Sequence, residues 1–478
     1  MRNTRWLSLM VLCTGFLLIV VDMTIVNVAL PSIQRDLAFS PAGLAWVINA
    51  YLIAFAGFLL LAGRLGDLFG RKREFLVGLG IFISASVLCG LSFNQPMLIA
   101  ARFAQGIGGA ISSAVILAMI VTMFPKPDEQ AKAFGVFSFV ASAGAAVGLL
   151  AGGMITQAVS WHWIFFVNLP IGIVTAVASL RLLDSDRGIG IGRGADVLGA
   201  ALVTGSLMLG VYTIVESSAY GLGSRRTVDL GAVALALMAA FIVRQALTSN
   251  PILPLRLFKS SRLSVANVVQ ALMSSAFIGF FFLGSLDLER VLGYGPLAVG
   301  LAFLPVAAVM GVFSLRFSAQ LINRFGPMAV LGAGQVVVAV ALAMLGFGPI
   351  NGSYVVYLMV PLALLGLGGG LSFPALTIIA MSETGPSDAG LASGILNTAG
   401  QVGGALGLAV LATLAGSRTQ SLVHEGAGNV AALAGGYHLA WLVGAGIALV
   451  TLVLTVWLLR SRTPLPIEIS NLEHEVAA

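Results

Sequence analysis

Long apolar stretches separated by short polar segments run along almost the whole chain. Windows of about 20 apolar residues predict membrane-spanning helices, and fourteen such windows can be placed, with twelve as the alternative because the seventh and eighth are the weakest. They lie near residues 7–30, 44–63, 75–93, 96–124, 134–157, 163–182, 195–215, 228–247, 264–286, 297–317, 328–347, 354–381, 390–415 and 437–459. The pattern therefore predicts an all-α membrane protein.

The composition agrees with this prediction and argues against an enzyme. The chain is 58% hydrophobic and 9% charged, whereas soluble domains carry about 25% charged residues. No long polar segment remains for a soluble catalytic domain. The cysteines, Cys13 and Cys89, fall inside predicted helices and suggest neither a disulfide nor a metal site. We expect no metal and no cofactor.

The positive charges predict the orientation in the membrane. Nineteen of the 25 Lys and Arg residues fall on the side that holds both termini, five fall on the other side, and Arg102 lies within a span. By the positive-inside rule both termini are expected in the cytoplasm, in a multi-pass protein of the inner (cytoplasmic) membrane. The basic pI then reflects topology, and no nucleic-acid partner is expected. The first apolar stretch is too long for a signal peptide and is interpreted as the first helix.

Three pairs of segments suggest an internal repeat. The pairs are residues 63–71 and 319–327, residues 106–109 and 366–369, and residues 144–148 and 403–407, with offsets of 256, 260 and 259. Parallel repeats are a plan of membrane transporters. The predicted domains are a six-helix bundle (1–183), an inserted two-helix linker (184–262), a second six-helix bundle (263–460) and a cytoplasmic tail (461–478).

Two opposite charges lie inside predicted spans. Asp22 is eight residues, roughly 12 Å, from the outer end of the first helix, and Arg102 is six residues, roughly 9 Å, from the same surface. At similar depth the two can pair directly or through water. A carboxylate near a cavity can load and release a proton, so the pair is a candidate proton-coupling site, since acids within the membrane are functional by default. The alternative is a static ion pair that holds two helices together.

Two glycine patterns accompany these charges. Residues 63–73 place three glycines, Asp67 and four cations in a short inner loop; a topology anchor explains the cations but not Asp67 or the glycine spacing. Gly144, Gly148 and Gly152 recur at intervals of four, with Gly153 beside the last. Small residues at this interval let a partner helix approach closely, which fits either a seal between moving bundles or ordinary packing.

Together these segments resemble the major facilitator superfamily, in particular its fourteen-helix drug:proton antiporter branch. The resemblance rests on residues 22–31 (Asp-Met-Thr-Ile-Val-Asn-Val-Ala-Leu-Pro), 63–73, 102–109, 144–153 and 161–172 and covers nearly the whole chain. It implies two six-helix bundles plus two inserted helices, alternating access, proton coupling and outward export of amphipathic compounds. It further implies that Asp22 and Arg102 form the proton relay. The loop would form a conformational latch on the inner face, with Gly63, Asp67, Gly70 and Arg71 as its members, and Gly144, Gly148, Gly152 and Gly153 would form the antiporter motif.

The chain departs from the pattern of the branch at several positions. Leu149 replaces a proline, and His162 and Gly400 replace arginines. Asp287 and Glu289 stand where tyrosine and glutamine are expected, at the outer end of the ninth span. Because helix neighbours two apart point away from each other, at most one faces a central cavity. A cavity acid there would favour cationic substrates or bind a second proton; the favoured alternative is a pair of solvated loop charges.

Other polar and aromatic residues within the spans are candidates for the wall of a substrate cavity. Hydrogen bonds between helices are the alternative explanation for the polar members. The candidates are Asn27, Gln105, Gln270, Phe281, Phe373 and Asn397, together with Asp287 and Glu289.

The sequence thus predicts a proton-coupled exporter of amphipathic compounds, cationic ones in particular. The partners would be a small-molecule substrate, protons and the lipid bilayer, and a monomer is expected. The alternative is a narrow-specificity transporter of one endogenous metabolite, peptide or lipid. A receptor or scaffold that has lost transport is a more distant alternative, because Asp22, Arg102 and Asp67 would be costly without a function.

Overall fold

All regular structure in the described part of the chain is helical. The computed structural model describes residues 2–124, 127–184, 196–221, 223–249, 251–253, 255–256, 261–349, 354–382 and 389–460. Within these residues, twelve helical segments are long and apolar enough to cross a membrane, and the two shorter apolar stretches Trp46–Leu59 and Val147–Ala158 account for the remaining predicted spans. A helix satisfies its own backbone hydrogen bonds, as a chain in lipid must. The predicted all-α membrane architecture is confirmed.

The helices follow the predicted apolar windows in order. The first group is α1 (Arg2–Asp36), α2 (Pro41–Leu44), α3 (Trp46–Phe69), α4 (Arg71–Gly90), α5 (Gln95–Met123), α6 (Pro127–Ala158), α7 (Trp163–Phe166) and α8 (Asn168–Leu182). The linker holds α9 (Val197–Tyr220) and α10 (Arg225–Leu247). The last group is α11 (Ser261–Arg290), α12 (Pro296–Ala302), α13 (Leu304–Val312), a π-helical turn (Phe313–Phe317), α14 (Ser318–Phe325), α15 (Pro327–Gly346), α16 (Tyr354–Tyr357), α17 (Met359–Met381), α18 (Ala389–His424) and α19 (Asn429–Arg460).

The two groups of helices pack in parallel ways. In the first group α1 packs on α6, α5 lies against α3 and α4, and α8 contacts α1 and α4. In the second group α11 packs on α18, α17 lies against α13 and α15, and α19 contacts α11 and α15. These matching contacts support two bundles related by a repeat; the domain boundaries stay a prediction.

Two tight turns occupy equivalent places in the repeat. Gly70, between α3 and α4, has φ = +95°, and Gly326, between α14 and α15, has φ = +83°. Glycine adopts this left-handed backbone without the steric cost that a side chain would bring. Each turn also donates its N–H to a carbonyl four residues earlier, at Gly66 and at Ile322. In both halves the chain therefore reverses direction at a glycine with positive φ.

Contacts between chain segments define the two faces of the bundle. The proximal face, where α1 begins, carries the turns at Gly70 and Gly326. The distal face, where α1 ends, carries the start of α12 and the contact in which Trp161 Nε1 donates to Asp36 Oδ2 at 2.9 Å.

The inserted helices differ in their surroundings. Helix α10 is mainly exposed and contacts α9, whereas α9 also packs on α3 of the first bundle and α18 of the second. A Cβ atom built at Gly57 of α3 would lie 3.0 Å from the Cβ of Thr204, and Thr413 Oγ1 of α18 donates to the carbonyl of Ile214 at 3.4 Å. Helix α9 of the insert therefore covers the seam between α3 and α18.

A buried carboxylate anchors the insert at the proximal face. Asp196 caps α9 by accepting the N–H of Gly199 at 2.9 Å, and it also accepts bonds from Arg244 Nε at 2.5 Å and Gln245 Nε2 at 2.7 Å. Gln245 in turn accepts the N–H of Leu253 at 2.9 Å. Burial raises the pKa of Asp196, but these hydrogen bonds and the Arg244 charge outweigh that effect and hold its pKa below the usual value.

Replacing this carboxylate is expected to destabilise the folded protein. Asp196→Ala removes the cap and two side-chain bonds, at a cost of about 1–3 kcal/mol. Because the folded-state pKa is depressed, the contribution of Asp196 is present above the unfolded pKa of about 3.9 and is lost as the pH falls through the folded value. Thermal unfolding of the purified protein at neutral pH is the measurement. Asp229→Ala, which removes an exposed acid on α10, is the control and should change little; equal stability of both variants would contradict the anchor.

Candidate functional site

The two membrane charges predicted from the sequence form a direct ion pair. Asp22 of α1 is 0% exposed and Arg102 of α5 is 1% exposed. Arg102 Nη1 lies 2.5 Å from Asp22 Oδ2. An isolated charge in the bilayer core costs about 2.5–3.5 kcal/mol on insertion scales, so each charge compensates the other. The two side chains can form this contact because the residues lie at similar depths in the membrane, as the sequence predicted.

Arg102 has further partners besides the carboxylate. Its Nε donates to the carbonyl of Val47 at 2.9 Å, and Nη1 also donates to Gln105 Oε1 at 2.7 Å. The guanidinium carbon lies 4.5 Å from the centre of the Tyr51 ring, an arrangement that favours a cation over the aromatic face. The arginine is thus held by α3 and by its own helix as well as by Asp22.

The second oxygen of Asp22 accepts amide donors from two helices. Gln105 Nε2 donates to Oδ1 at 2.7 Å, and Asn168 Nδ2 donates at 3.2 Å. Both amides also donate to Ser86 Oγ, at 3.2 and 2.9 Å, and this hydroxyl donates to the carbonyl of Phe165 at 2.9 Å. Arg102 and Gln105 reach one carboxylate because positions three apart share a face of a helix. The ion pair is the centre of a network that joins α1, α3, α4, α5 and α8.

Part of this network was not predicted. Gln105 was a candidate for the cavity wall; the structure gives it no exposed surface and places it in the network instead. Asn168 lies in the segment 161–172 that carries the family resemblance. The sequence therefore marked this segment but assigned no function to Asn168. Ser86 had no signal, because a single serine in an apolar helix commonly bonds to its own backbone.

The glycines of α6 have two different neighbours. A Cβ at Gly144 would lie 2.7 Å from Leu17 Cδ1, one at Gly148 would lie 3.0 Å from the carbonyl oxygen of Val21, and one at Gly152 would lie 2.8 Å from that of Ile25, so all three face α1 of the same bundle. Gly153 instead faces α12 of the other bundle, with Pro296 O at 2.7 Å from a built Cβ. Three of the glycines therefore let helices pack closely within the first bundle, and Gly153 lies at the seam, the contact of α6 with α12 between the two bundles.

Additional contacts join the bundles at the distal face. Arg35 Nη2 at the end of α1 lies 2.8 Å from Glu289 Oε1 at the end of α11. The N–H of Leu297 donates to Gln157 Oε1 at 3.2 Å. These contacts and the seam at Gly153 hold the distal ends of the two bundles together in this conformation.

The members of the proposed latch lie around the turn after α3. Gly70 makes the turn, and Arg71 begins α4, where its Nη1 donates to the carbonyl of Ala118 at 3.4 Å. Gly63 and Asp67 belong to α3, but the Asp67 side chain and the surroundings of Gly63 lie outside the described part of the structure. The contacts that would make Asp67 a latch are therefore not among those described.

The remaining cavity candidates separate by exposure. Asn397 is exposed, Gln270, Phe281 and Phe373 are partly buried, and Asn27 is buried with its Nδ2 donating to the carbonyl of Met23 at 2.9 Å. Phe281 packs in a cluster with Phe280 and Phe303, and Phe373 packs edge-on against Phe277. The four residues that keep exposed surface, Gln270, Phe281, Phe373 and Asn397, all lie in the second bundle.

Asp287 and Glu289 point in different directions, as the helix geometry requires. Helix α11 continues to Arg290, so neither acid belongs to a loop. Glu289 bonds to Arg35 across the seam, and its side chain is 11% exposed. Asp287 is buried and lines a small cavity within the second bundle. The favoured interpretation as two solvated loop charges was wrong, because the helix extends one turn further than the apolar window.

Comparisons with known proteins agree with this architecture. Residues 12–408 match the model of the Major Facilitator Superfamily. The chain is 36% identical to the cephamycin export protein CmcT of Amycolatopsis lactamdurans, over 95% of this chain and 92% of that protein. It is also 36% identical to the puromycin resistance protein pur8 of Streptomyces alboniger, over 96% of this chain and 92% of that protein.

Solved structures show the same fold. A bacterial homologue of the human lysosomal transporter Spinster, in an inward-facing and unoccupied conformation, aligns with a TM-score of 0.70 at 16% identity, over 97% of this chain and 99% of that one. The POT family transporter PepTSo aligns with a TM-score of 0.69 at 15% identity, over 96% of this chain and 98% of that one. With its helical bundles, its family match and its relatives, this chain belongs to the major facilitator superfamily of membrane transporters and is not an enzyme.

Proposed function

We propose that this transporter exports amphipathic compounds, cations in particular, in exchange for protons. The observation that carries the proposal is the buried ion pair of Asp22 with Arg102, in which Arg102 also bonds to groups other than the carboxylate. The names of two relatives, a cephamycin export protein and a puromycin resistance protein, support export of antibiotic-like molecules. Alternating access, in which two bundles close the two faces of the membrane in turn, is compatible with two bundles that touch at their distal ends.

The geometry suggests how a proton would act. A proton on the Asp22 carboxylate removes the charge that attracts Arg102. Arg102 would retain the Val47 carbonyl, Gln105 Oε1 and the Tyr51 ring, so the guanidinium would not be left without partners in the membrane. Gln105 and Asn168 would stay bonded to Ser86. Separation of the pair is therefore less costly after protonation, and this would favour a change of conformation.

The charge distribution suggests the direction of transport. With both termini in the cytoplasm, the distal face is external and is the closed face in this conformation. A substrate would enter from the cytoplasm or inner leaflet, near Gln270, Phe373 and Asn397 of the second bundle. A proton arriving later from outside would neutralise Asp22 and favour return to the inward-facing state. We further propose a monomer, in which the turn at Gly70 and the Asp67 region form the latch on the proximal face.

Export of one narrow class of compound is the second candidate. Cephamycin, puromycin and tetracenomycin C, which appear in the names of three relatives, are single antibiotics rather than a broad set. A single endogenous metabolite, peptide or lipid as substrate remains compatible with the same coupling site.

Neutralising the coupling acid is expected to abolish gradient-driven export. Asp22→Asn keeps the shape of the side chain but cannot exchange a proton, so efflux of ethidium from energised cells should fall to the level of cells that lack the protein. The wild type should lose efflux when a protonophore is added. Asp229→Asn, which removes an exposed acid on α10, is the matched control and should transport normally.

Two results would count against this assignment. Efflux by inserted Asp22→Asn protein that still depends on the pH gradient would reduce the pair to a static helix contact. No ethidium efflux by inserted wild type would favour the narrow-substrate alternative, and a panel of antibiotics and metabolites would then be screened with the same pair of variants.

The seam glycine gives an independent test of bundle movement. Gly153→Leu places a side chain against the backbone of Pro296 and Leu297, so the distal ends cannot close and efflux should be lost while the protein still inserts. Gly80→Leu, where a Cβ meets nothing within 4 Å, is the control and should transport normally. Normal efflux by Gly153→Leu would mean that distal closure at this seam is not needed for transport.

A further inference from the structure

The last turn of α11 carries an acid for which the cycle proposed above has no use. Asp287 is 7% exposed and lines a cavity of about 30 Å³. The cavity lies between the ends of α11, α15 and α19 and is bounded by Leu345, Gly348, Tyr357, His438 and Trp441. A cavity of this size accommodates about one or two water molecules. It is too small for a drug and lies apart from the Asp22 network.

The charged groups around Asp287 leave it without a counterion. Arg290, one turn along, lies beside the Tyr437 hydroxyl of α19, and Glu289 on the same helix bonds to Arg35. From the other elements, Tyr357 and His438 face the cavity, and α15 contributes only the apolar Leu345. Among the residues that the structure describes, no Lys or Arg lies within ion-pair distance of the Asp287 carboxylate.

We propose that Asp287 is a second proton-binding site, loaded from the distal face. An uncompensated carboxylate in a membrane protein is costly, and a proton is the ligand that removes its charge within so small a space. A metal ion would need several oxygen ligands, whereas the cavity offers one carboxylate. Val291, Leu292 and Gly348, which line the cavity, are partly exposed at the distal ends of α11 and α15, so a proton from that side would reach Asp287 without passing Asp22.

The inference rests on the proposed proton-coupled export and makes it a two-proton exchange. Exchange of one monovalent cation for one proton moves no net charge, whereas exchange for two protons moves one charge per cycle. The membrane potential would then drive export in addition to the pH gradient. This difference separates the role of Asp287 from that of Asp22.

The first experiment detects the proton without requiring transport. Infrared spectra of the purified protein in lipid nanodiscs at neutral pH should contain a protonated-carboxyl band in the wild type that Asp287→Asn lacks and the control Asp229→Asn retains. Wild-type protein should also be modified at Asp287, and not at Asp229, by dicyclohexylcarbodiimide, which reacts with protonated carboxyl groups in membranes. This labelling decides the question even if Asp287→Asn does not fold. Absence of both signals in the wild type would overturn the proposal.

The second experiment measures what the proton does. In proteoliposomes with ethidium inside, a pH gradient and a membrane potential are imposed separately. The wild type should respond to both, and Asp287→Asn should respond to the pH gradient and lose the response to potential. An unchanged response to potential would overturn the second coupling site. If the wild type responds to neither gradient, the proposed exporter function fails, while the carboxyl signals still decide whether Asp287 binds a proton.

Discussion

The first bundle depends on the burial of two opposite charges in a medium that does not solvate them. Asp22 and Arg102 are stable within the membrane because each has the other, and because both carboxylate oxygens of Asp22 and the Nε and Nη1 atoms of Arg102 have hydrogen-bond partners. These groups come from α1, α3, α4, α5 and α8. A displacement of any one of these helices would leave a polar group without its partner. The network ties these five helices together, so the first bundle would move as a unit.

The second bundle repeats the backbone plan without the charge pair. Gly366 and Gly368 of α17 approach the backbones of α13 and α15 as Gly106 and Gly108 of α5 approach those of α3 and α4. Among its described residues, however, the ion pair within this bundle is the exposed contact of Arg418 with Glu425, which contributes little to stability. Its partly exposed polar and aromatic residues are the candidates for substrate contact, and its buried acid, Asp287, has no arginine partner among the described residues. The repeat thus supplies one scaffold on which the two halves carry different chemistry.

Sequence reasoning predicted the helices because lipid imposes a length and a composition on each span. It also predicted the contact of Asp22 with Arg102, since the rise of a helix places both at one depth. It did not predict Gln105, Asn168 and Ser86 as their partners, because hydrogen bonds between helices depend on rotations that hydropathy does not encode. The position of α9 was missed for a related reason: a lipid-facing helix and one that covers a protein seam have the same apolar composition.

The contacts at the distal face are weak enough to break in each transport cycle. Arg35 is 66% exposed and Glu289 is 11% exposed, so solvent reaches the pair from the Arg35 side and weakens it relative to a fully buried ion pair. Close packing at Gly153 contributes dispersion contacts but no strong polar bond. A ligand or a proton must supply about 5.5 kcal/mol of differential binding to move such an equilibrium from 1:99 to 99:1. A strongly bonded closure would add to that requirement, whereas one partly exposed ion pair beside a glycine seam adds less to it than a fully buried pair would.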